Sequence, residues 1–550
     1  MRKTLLTAVL SLIVLTAGFG QKKRVKNVIL MIPDGTSWAT VSSARWYQRY
    51  IDPSKPHLFL DPYICGSVLT FSSNAPIGDS APTTSCYMTG TPSREGFVST
   101  YPPADAENDI VPLDSAMAYQ PMMTVLEAAK IFNKMSTGLV FTCEFPHATP
   151  ADCSAHSYNR NKYEWIAPQM IHNNIDVVIG GGAKYLDEES KNYLKNEGYG
   201  VYTNDLKGFR SYQGNKMWSL FCDVDMPYDI DNDTLVNPSL SEMTAKAIEK
   251  LSKNENGFFL MVEGSKVDWA AHSNDPIGMI TEMLAFDKAF GVAVDFAKKN
   301  GETVVIAVPD HGNSGISIGD KRCADYSHLS KNDLFKNISK YKTSADKLVS
   351  ILKQTEPANI RDVFKKYTDI DLSDSLVRII LASEDYGKST LSLTERMKGS
   401  RLKKTIGEIM TGNTCFGFTT GGHTGEEVFL AIYAPENNRV TGMITNTELN
   451  QYMQDILSIN NLKKHTSDYF AKHTEVFKNY KYKINSDNEK KPVLEVVKDK
   501  KNKLTITPNT NIVLLNGKEI KLNSVVVYVD KTKTFYLPRM DVMNYELFNH

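Results

Sequence analysis

Short, continuous apolar runs rich in β-branched residues alternate along the chain with stretches of helical pattern. Each run ends at or beside a polar residue or a glycine. Strands that are apolar on both faces and alternate with helices are typical of a mainly parallel sheet covered on both sides. The pattern therefore predicts an α/β fold, a three-layer sandwich with helices flanking a large, mainly parallel central sheet. The predicted strands are 27–34, 137–142, 177–180, 258–263 and 303–308.

Two later regions depart from this pattern. Residues 314–412 are more polar and helical in pattern, which predicts a helical insertion that caps the site. From about Lys481 the runs become short and β-like, with Asn516-Gly517 as a hairpin signal. This tail is predicted to be a small C-terminal β module of unknown role, whose opening segment at 485–491 is charged and turn-rich, as a linker would be.

The first twenty residues have the layout of a secretory signal. Arg2 and Lys3 precede an apolar run, and small residues follow it up to Gly20. This run is too short for a permanent membrane anchor, and no other run has spanning length. We therefore expect an exported protein, periplasmic or secreted. The predicted organisation is a signal peptide at 1–20, a main domain at 21–480 and the β module at 481–550.

Composition adds two constraints. The 63 basic and 63 acidic residues give a formal net charge of zero, so bulk charge does not indicate a nucleic-acid partner. Any anion specificity is therefore local. The seven cysteines are an odd number, which leaves at least one unpaired. Cys143 and Cys153 are a candidate pair, although spacing does not determine connectivity.

Polar residues at the predicted strand ends are candidates for chemistry, because ligands of α/β folds collect at the carboxyl ends of the strands. Asp34 closes the first strand. Asp268 and His272 lie four residues apart, so a helix would place them on one face, a workable spacing for two ligands of one ion. Asp310 and His311 follow another predicted strand. Adjacent residues of a strand point to opposite faces of the sheet, so these two side chains lie on the same side only if the strand ends before them.

Two further segments add an imidazole and a hydroxyl. His423 lies in the glycine-rich loop 421–425, whose backbone allows close approach. Ser80 precedes Pro82, a residue that fits the first turn of a helix, so free backbone N–H groups and the helix dipole would favour a phosphoryl group there. Taken singly, these residues also fit turns, caps and structural histidines. Together they provide a donor set suited to zinc.

The order of these residues resembles the alkaline phosphatase family along about 26–435, which is most of the chain. The spacing from His147 through Thr149 to Arg160 matches as well. The residues that carry the resemblance are Asp34, Asp79, Ser80, Ala81, His147, Thr149, Arg160, Glu263, Asp268, His272, Asp310, His311 and His423.

The resemblance implies hydrolysis of phosphate monoesters to an alcohol and inorganic phosphate through a phosphoserine at Ser80. It implies two zinc ions, with ligands Asp268, His272 and His423 at the first and Asp34, Asp310, His311 and Ser80 at the second. A third ion, usually magnesium, would be held by Asp34, Thr149 and Glu263. Arg160 would bind two phosphate oxygens in a bidentate way. Many relatives are dimers, so a homodimer stays open.

Two positions depart from the best-known bacterial pattern. His147 stands where that pattern has Asp, and Trp269 where it has Lys. Both would lie near the third ion, so its identity stays open between magnesium and a softer ion such as zinc or cobalt. Trp269 would either contact the substrate or pack beside His272.

Two other functions compete with a phosphomonoesterase. The first is a phosphodiesterase or sulfatase with a similar metal-binding core. Arg160, Thr149 and Glu263 argue against it, because they recognise the extra charge of a terminal phosphate. The second is a surface-binding protein with a decayed site. The sequence retains all of the predicted catalytic and metal-binding residues, which argues against a protein without activity. The tail faintly resembles a small β module of some copper amine oxidases, and no activity is inferred from it.

Overall fold

The computed structural model describes residues 25–323, 328–383, 386–387, 400–485, 492–499 and 502–539. The predicted signal peptide at 1–20 lies outside these residues. The strands are β1 Asn27–Pro33, β2 Ile64–Leu69, β3 Ser136–Glu144, β4 Val177–Gly181, β5 Gly200–Thr203, β6 Met217–Leu220, β7 Phe258–Gly264, β8 Thr303–Ala307, β9 Gly312–Asn313, β10 Ser317–Ile318, β11 Phe416–Gly417, β12 His423–Thr424, β13 Val428–Tyr433, β14 Gly442–Thr445, β15 Ala471–Lys472, β16 Lys481–Asn485, β17 Val493–Val497, β18 Lys503–Ile506, β19 Ile512–Leu515, β20 Lys518–Lys521, β21 Val527–Val529 and β22 Thr534–Leu537.

The central element of the described chain is a ten-stranded sheet in the order β14-β2-β13-β8-β1-β7-β3-β4-β6-β5. In this sheet only β13 runs antiparallel to its neighbours. The predicted α/β class and mainly parallel sheet are therefore confirmed. The four strands at its centre, β8, β1, β7 and β3, bring the predicted polar residues to one edge of the sheet.

Helices cover both faces of the sheet. The two faces bury separate apolar clusters because side chains alternate along each strand: Leu30 and Ile32 of β1 lie in one cluster, Ile29 and Met31 in the other. The α-helices are Trp38–Ile51, Ser80–Thr89, Val125–Asn133, Ala148–Asp152, Tyr163–His172, Glu188–Asn196, Leu206–Ser211, Leu240–Leu251, Lys266–His272, Pro276–Asn300, Lys331–Phe335, Ala345–Leu352, Ile360–Thr368, Asp374–Leu381, Arg401–Gly412, Asn446–Leu457, Leu462–Tyr469 and His473–Val476.

The region 314–412 is mainly helical in its described part, as predicted. Its helices share a buried cluster that includes Leu348, Phe364 and Ile406. Ala270 and Ala271, on the helix Lys266–His272, belong to the same cluster. The insertion therefore packs directly against the helix that carries Asp268 and His272.

The tail forms the antiparallel sheet β16-β17-β18-β19-β20, and its strands β21 and β22 join β15, which precedes the tail, in the antiparallel sheet β15-β22-β21. The predicted hairpin at Asn516-Gly517 is confirmed, because these residues have positive φ and join β19 to β20. The prediction that 485–491 is a linker between domains is wrong. Asn485 ends β16, which pairs with β17, so this segment connects two strands of one hairpin. Residues 486–491 themselves lie outside the described residues.

The cysteine pairing differs from the candidate pair. Cys143 and Cys153 are both free and buried, whereas Cys323 and Cys415 form a disulfide across 92 residues of sequence. Cys143 instead faces Glu263, and Cys153 faces the backbone carbonyl of Thr149.

Within the described ranges, no helix combines the length and the apolar character needed to cross a bilayer.

The disulfide generates a prediction about stability. Replacing Cys323 and Cys415 together by Ser should lower the free energy of unfolding by about 2–4 kcal/mol, because the cross-link restricts the unfolded chain. Urea unfolding measures this change. In denaturant, the unreduced wild-type chain should show five reactive thiols and the reduced chain seven. A disulfide peptide linking Cys143 to Cys153 would contradict the pairing.

Candidate active site

Ser80 is the first residue of the helix Ser80–Thr89, with Asp79 in extended conformation before it. Pro82 lies in the first turn, where its missing N–H costs no helical hydrogen bond. The Ser80 side chain is buried, and its Oγ lies 3.4 Å from His311 Nε2 and 3.4 Å from Asp34 Oδ2. A helix N-terminus, a carboxylate and an imidazole therefore meet at one hydroxyl.

Asp34, Asp310 and His311 form the first cluster around this hydroxyl. His311 Nε2 lies 3.5 Å from Asp34 Oδ1 and 3.4 Å from Asp310 Oδ2. β8 ends at Ala307, so Asp310 and His311 belong to a loop and their side chains turn to the same side. Gly35 has φ +60°, and its N–H donates to Asp310 Oδ1 at 2.9 Å. The turn after β1 thus holds this cluster in place.

Asp268, His272 and His423 form the second cluster. His272 Nε2 lies 3.3 Å from Asp268 Oδ2 and 3.2 Å from His423 Nε2. The other ring nitrogens are oriented by backbone carbonyls, His272 Nδ1 by Gly421 at 2.8 Å and His423 Nδ1 by Gly78 at 3.0 Å. Both Nε2 atoms consequently face the Asp268 carboxylate.

The two clusters are adjacent. The rings of His311 and His423 stack with centroids 3.7 Å apart. Ligand atoms of Asp268, His272 and His423 lie within 4.8 Å of one another, as do those of Asp34, Asp268 and His311. Asp268 therefore lies between two sites that could each hold a metal ion.

A third group of donors surrounds Glu263 at the end of β7. Ligand atoms of Cys143, His147 and Glu263 all lie within 4.8 Å of one another. Thr149 lies in the helix Ala148–Asp152, of which His147 is the N-cap. Among the described residues, Glu263 Oε1, Thr149 Oγ1 and His147 Nδ1 are buried without a hydrogen-bond partner. Buried polar atoms rarely stay unpaired, so the two unpaired oxygen atoms, Glu263 Oε1 and Thr149 Oγ1, fit a bound ion.

Arg160 lies beside the helix Ser80–Thr89. Its Nη1 donates to Asp79 at 2.9 Å, and its Nη2 lies 3.2 Å from His147 Nε2. Because a guanidinium only donates, His147 accepts this hydrogen bond through Nε2. Trp269 is half-buried and packs edge-on against His147, with ring centroids 5.8 Å apart. Its ring contacts His147, and the choice between substrate contact and packing beside His272 stays a prediction.

The site holds an excess of buried negative charge. Burial and the nearby Asp310 and Asp268 carboxylates raise the pKa of Asp34 well above its usual range. Burial raises the pKa of Glu263 to about 8. Burial also disfavours the charged form of Asp268, but His272 outweighs it and holds the Asp268 pKa well below its usual range. Cations placed between these carboxylates would stabilise the ionised forms.

The structure brings every predicted site residue into this one region. Three further neighbours had no predicted role at this site. Asp79 orients Arg160 and could have been found from its position directly before Ser80. Asn313 Nδ2 donates to Asp268 Oδ1 at 2.6 Å, and Cys143 Sγ lies 3.3 Å from Glu263 Oε2. For these two, no sequence signal indicates the contact.

Comparisons with known proteins agree with this arrangement. A family model described as alkaline phosphatase matches residues 25–459. Alkaline phosphatase 3 of Bacillus subtilis is 33% identical over 446 residues, covering 78% of this chain and 88% of that protein. The repressible alkaline phosphatase of Saccharomyces cerevisiae is 28% identical over 516 residues, covering 81% and 85%. The cold-active alkaline phosphatase of Shewanella sp. has a TM-score of 0.65 at 27% identity, covering 78% and 99%.

The sheet-edge site and its clustered carboxylate and imidazole donors define a metal-dependent hydrolase. The family match spans most of the chain, and the Bacillus relative is matched over most of its length. The chain therefore belongs to the alkaline phosphatase family and is a hydrolase of phosphate monoesters.

Removal of divalent ions should destabilise the protein. The buried carboxylates of Asp34, Asp268 and Asp310 repel one another without cations, so chelation should lower the melting temperature by roughly 5 °C or more. Differential scanning calorimetry before and after chelation, with zinc restored, measures this shift. Asp310→Asn removes one charge and should reduce the shift. Equal melting temperatures with and without chelator would contradict the argument.

Proposed function

We propose that this chain hydrolyses phosphate monoesters in two displacements, through a phosphoserine at Ser80. The observation that carries the proposal is the position of Ser80 Oγ. It lies at a helix N-terminus, within 3.5 Å of Asp34 and His311. Phosphate binds favourably at such a terminus, and a hydroxyl beside a metal site can be activated as a nucleophile.

Two zinc ions and a third ion complete the proposed site. The residues that would hold the zinc ions are Asp268, His272 and His423 at one site and Asp34, Asp310, His311 and Ser80 at the other. Asp34, Thr149 and Glu263 would hold the third ion. The donor types fit, since zinc accepts imidazole and carboxylate ligands. When bound, the zinc ions would favour ionisation of the Ser80 hydroxyl and offset charge on the attacking and leaving oxygens.

The chain's own residues position the reacting groups. Arg160 binds two oxygens of the phosphoryl group, while Asp79 orients the guanidinium. Ser80 Oγ then attacks phosphorus, and the bond to the leaving oxygen breaks to release an alcohol. Water hydrolyses the phosphoserine ester in the second step, which releases inorganic phosphate and regenerates the Ser80 hydroxyl.

The proposed specificity for monoesters rests on charge. A monoester has one more negative charge than a diester, and both Arg160 and the ion near Glu263 would interact with the terminal oxygens. Comparing kcat/KM for a monoester, a diester and a sulfate ester tests this point. Faster cleavage of the diester or the sulfate ester would contradict it.

Export and dimerisation are part of the proposal as well. Residues 1–20 have the pattern of a signal peptide, and the Cys323–Cys415 disulfide fits an oxidising compartment. A homodimer is expected from the resemblance to the family. Cell fractionation and the mass measured by light scattering test these two points.

Ser80→Ala should remove activity and keep the metal ions. Loss of the nucleophile should lower kcat by on the order of 10³-fold or more, and no acid-stable phosphoserine should form. Metal analysis should still find at least two zinc ions, because the remaining ligands are unchanged. Ser93→Ala, a buried serine of the neighbouring loop, is the matched control and should keep its activity. Full activity of Ser80→Ala would rule out the nucleophile.

Arg160→Ala should weaken recognition of phosphate. Loss of two charge-assisted hydrogen bonds should lower kcat/KM by about 10²-fold and raise the inhibition constant of inorganic phosphate. Steady-state kinetics with a monoester measures both effects. Arg94→Ala breaks a different arginine–carboxylate pair, with Asp105, and should leave both constants unchanged. If phosphate inhibits the Arg160 variant as strongly as the wild type, Arg160 does not bind phosphate.

A further inference from the structure

Cys143 is placed beside Glu263 by the central sheet. β3 and β7 are parallel neighbours, with Val140 paired to Val262. Beyond this pair, Ser265 Oγ accepts hydrogen bonds from the backbone N–H groups of Thr142 and Cys143, at 3.1 and 3.0 Å. The ends of both strands are therefore fixed relative to each other, and the thiol has a defined position.

The Cys143 thiol points into the third donor group. Its Sγ lies 3.3 Å from Glu263 Oε2, and ligand atoms of Cys143, His147 and Glu263 lie within 4.8 Å of one another. Cys143 and Glu263 are fully buried. The other carboxylate oxygen, Glu263 Oε1, is buried with no hydrogen-bond partner in the described structure. A buried, unpaired carboxylate oxygen beside a thiol suits a metal ion.

A third site that includes the Cys143 thiolate does not match magnesium. Magnesium requires near-octahedral oxygen ligands, whereas a thiolate favours zinc and other softer ions. His147 does not supply the soft donor in this arrangement. A neutral imidazole has one ring-nitrogen lone pair, and that of His147 accepts the hydrogen bond from Arg160. Because His147 is excluded, Cys143 is the soft donor that contacts Glu263.

We propose that Cys143 is a ligand of the third ion and makes this site select zinc or cobalt(II) over magnesium. The proposal rests on the third site of the proposed function and adds a residue that the family resemblance does not assign. On binding, the S–H bond breaks, a metal–sulfur bond forms and one proton is released to solvent. No electron is transferred.

The alternative role for Cys143 is that of a buried hydrogen-bond donor. Burial and the carboxylates of Glu263 and Glu144 raise the pKa of the Cys143 thiol, so it is protonated when no ion is bound. In that role the thiol would orient Glu263 without touching the ion. The two roles differ in whether the sulfur atom is bonded to the metal ion, and spectroscopy can determine this.

Cobalt substitution of the full-length protein tests the proposal. The protein is stripped of metal, loaded with cobalt(II) and examined for a near-ultraviolet thiolate-to-cobalt charge-transfer band. The wild type should show the band and Cys143→Ala should lack it. Cys153→Ala is the matched control, because this buried thiol faces a backbone carbonyl instead of Glu263, and it should keep the band. With zinc and magnesium in competition, the affinity of the third site for zinc should fall at least about 10-fold in Cys143→Ala.

The outcomes separate this proposal from the proposed function. A wild type without the band, or a Cys143→Ala variant that keeps it, would overturn the ligand assignment, even if phosphoserine forms at Ser80. A wild type with the band but no phosphoserine would leave the ligand assignment standing and overturn the mechanism. If Cys143→Ala does not fold, Cys143→Ser keeps the side-chain size, and loss of the band in that variant gives the same answer.

Discussion

Mutual repulsion of buried carboxylates is the constraint on which this structure depends. Asp34, Asp310 and Glu263 are fully buried, and Asp268 is 5% exposed. Isolated buried charges are costly, so four carboxylates in one place require cations or protons. In the part of the chain that the structure describes, His272, His311 and His423 contact these carboxylates, and Arg160 pairs with the neighbouring Asp79. The packing of the site therefore favours bound metal ions.

The parallel sheet makes such a site possible. β8, β1, β7 and β3 are adjacent and point in one direction, so their carboxyl ends meet at one edge. The apolar strands behind the site supply a large core, which offsets the cost of holding the carboxylates together. Loops after the strands then aim the side chains, as Gly35 does for Asp310.

Two peripheral regions support the site. The helical insertion packs on the helix Lys266–His272 and so fixes one ligand cluster. The C-terminal tail contacts the segment that carries Arg160, since Asp530 of the tail pairs with Lys162 at 2.8 Å. Lys162 in turn lies over the ring of Trp165, 3.6 Å from its centroid. The tail is thus part of the packing around the segment that carries Arg160.

The sequence by itself determined the central strands and the identity of the polar residues that follow them. Buried strands require continuous apolar runs, and such runs can be recognised in the amino-acid sequence. Edge strands such as Gly200–Thr203 and Gly442–Thr445 escaped prediction, because they are partly exposed and carry no comparable run. Only the tertiary structure decided which residues far apart in sequence are neighbours. The Cys323–Cys415 disulfide and the contact of Cys143 with Glu263 both depend on distances that spacing along the chain does not encode.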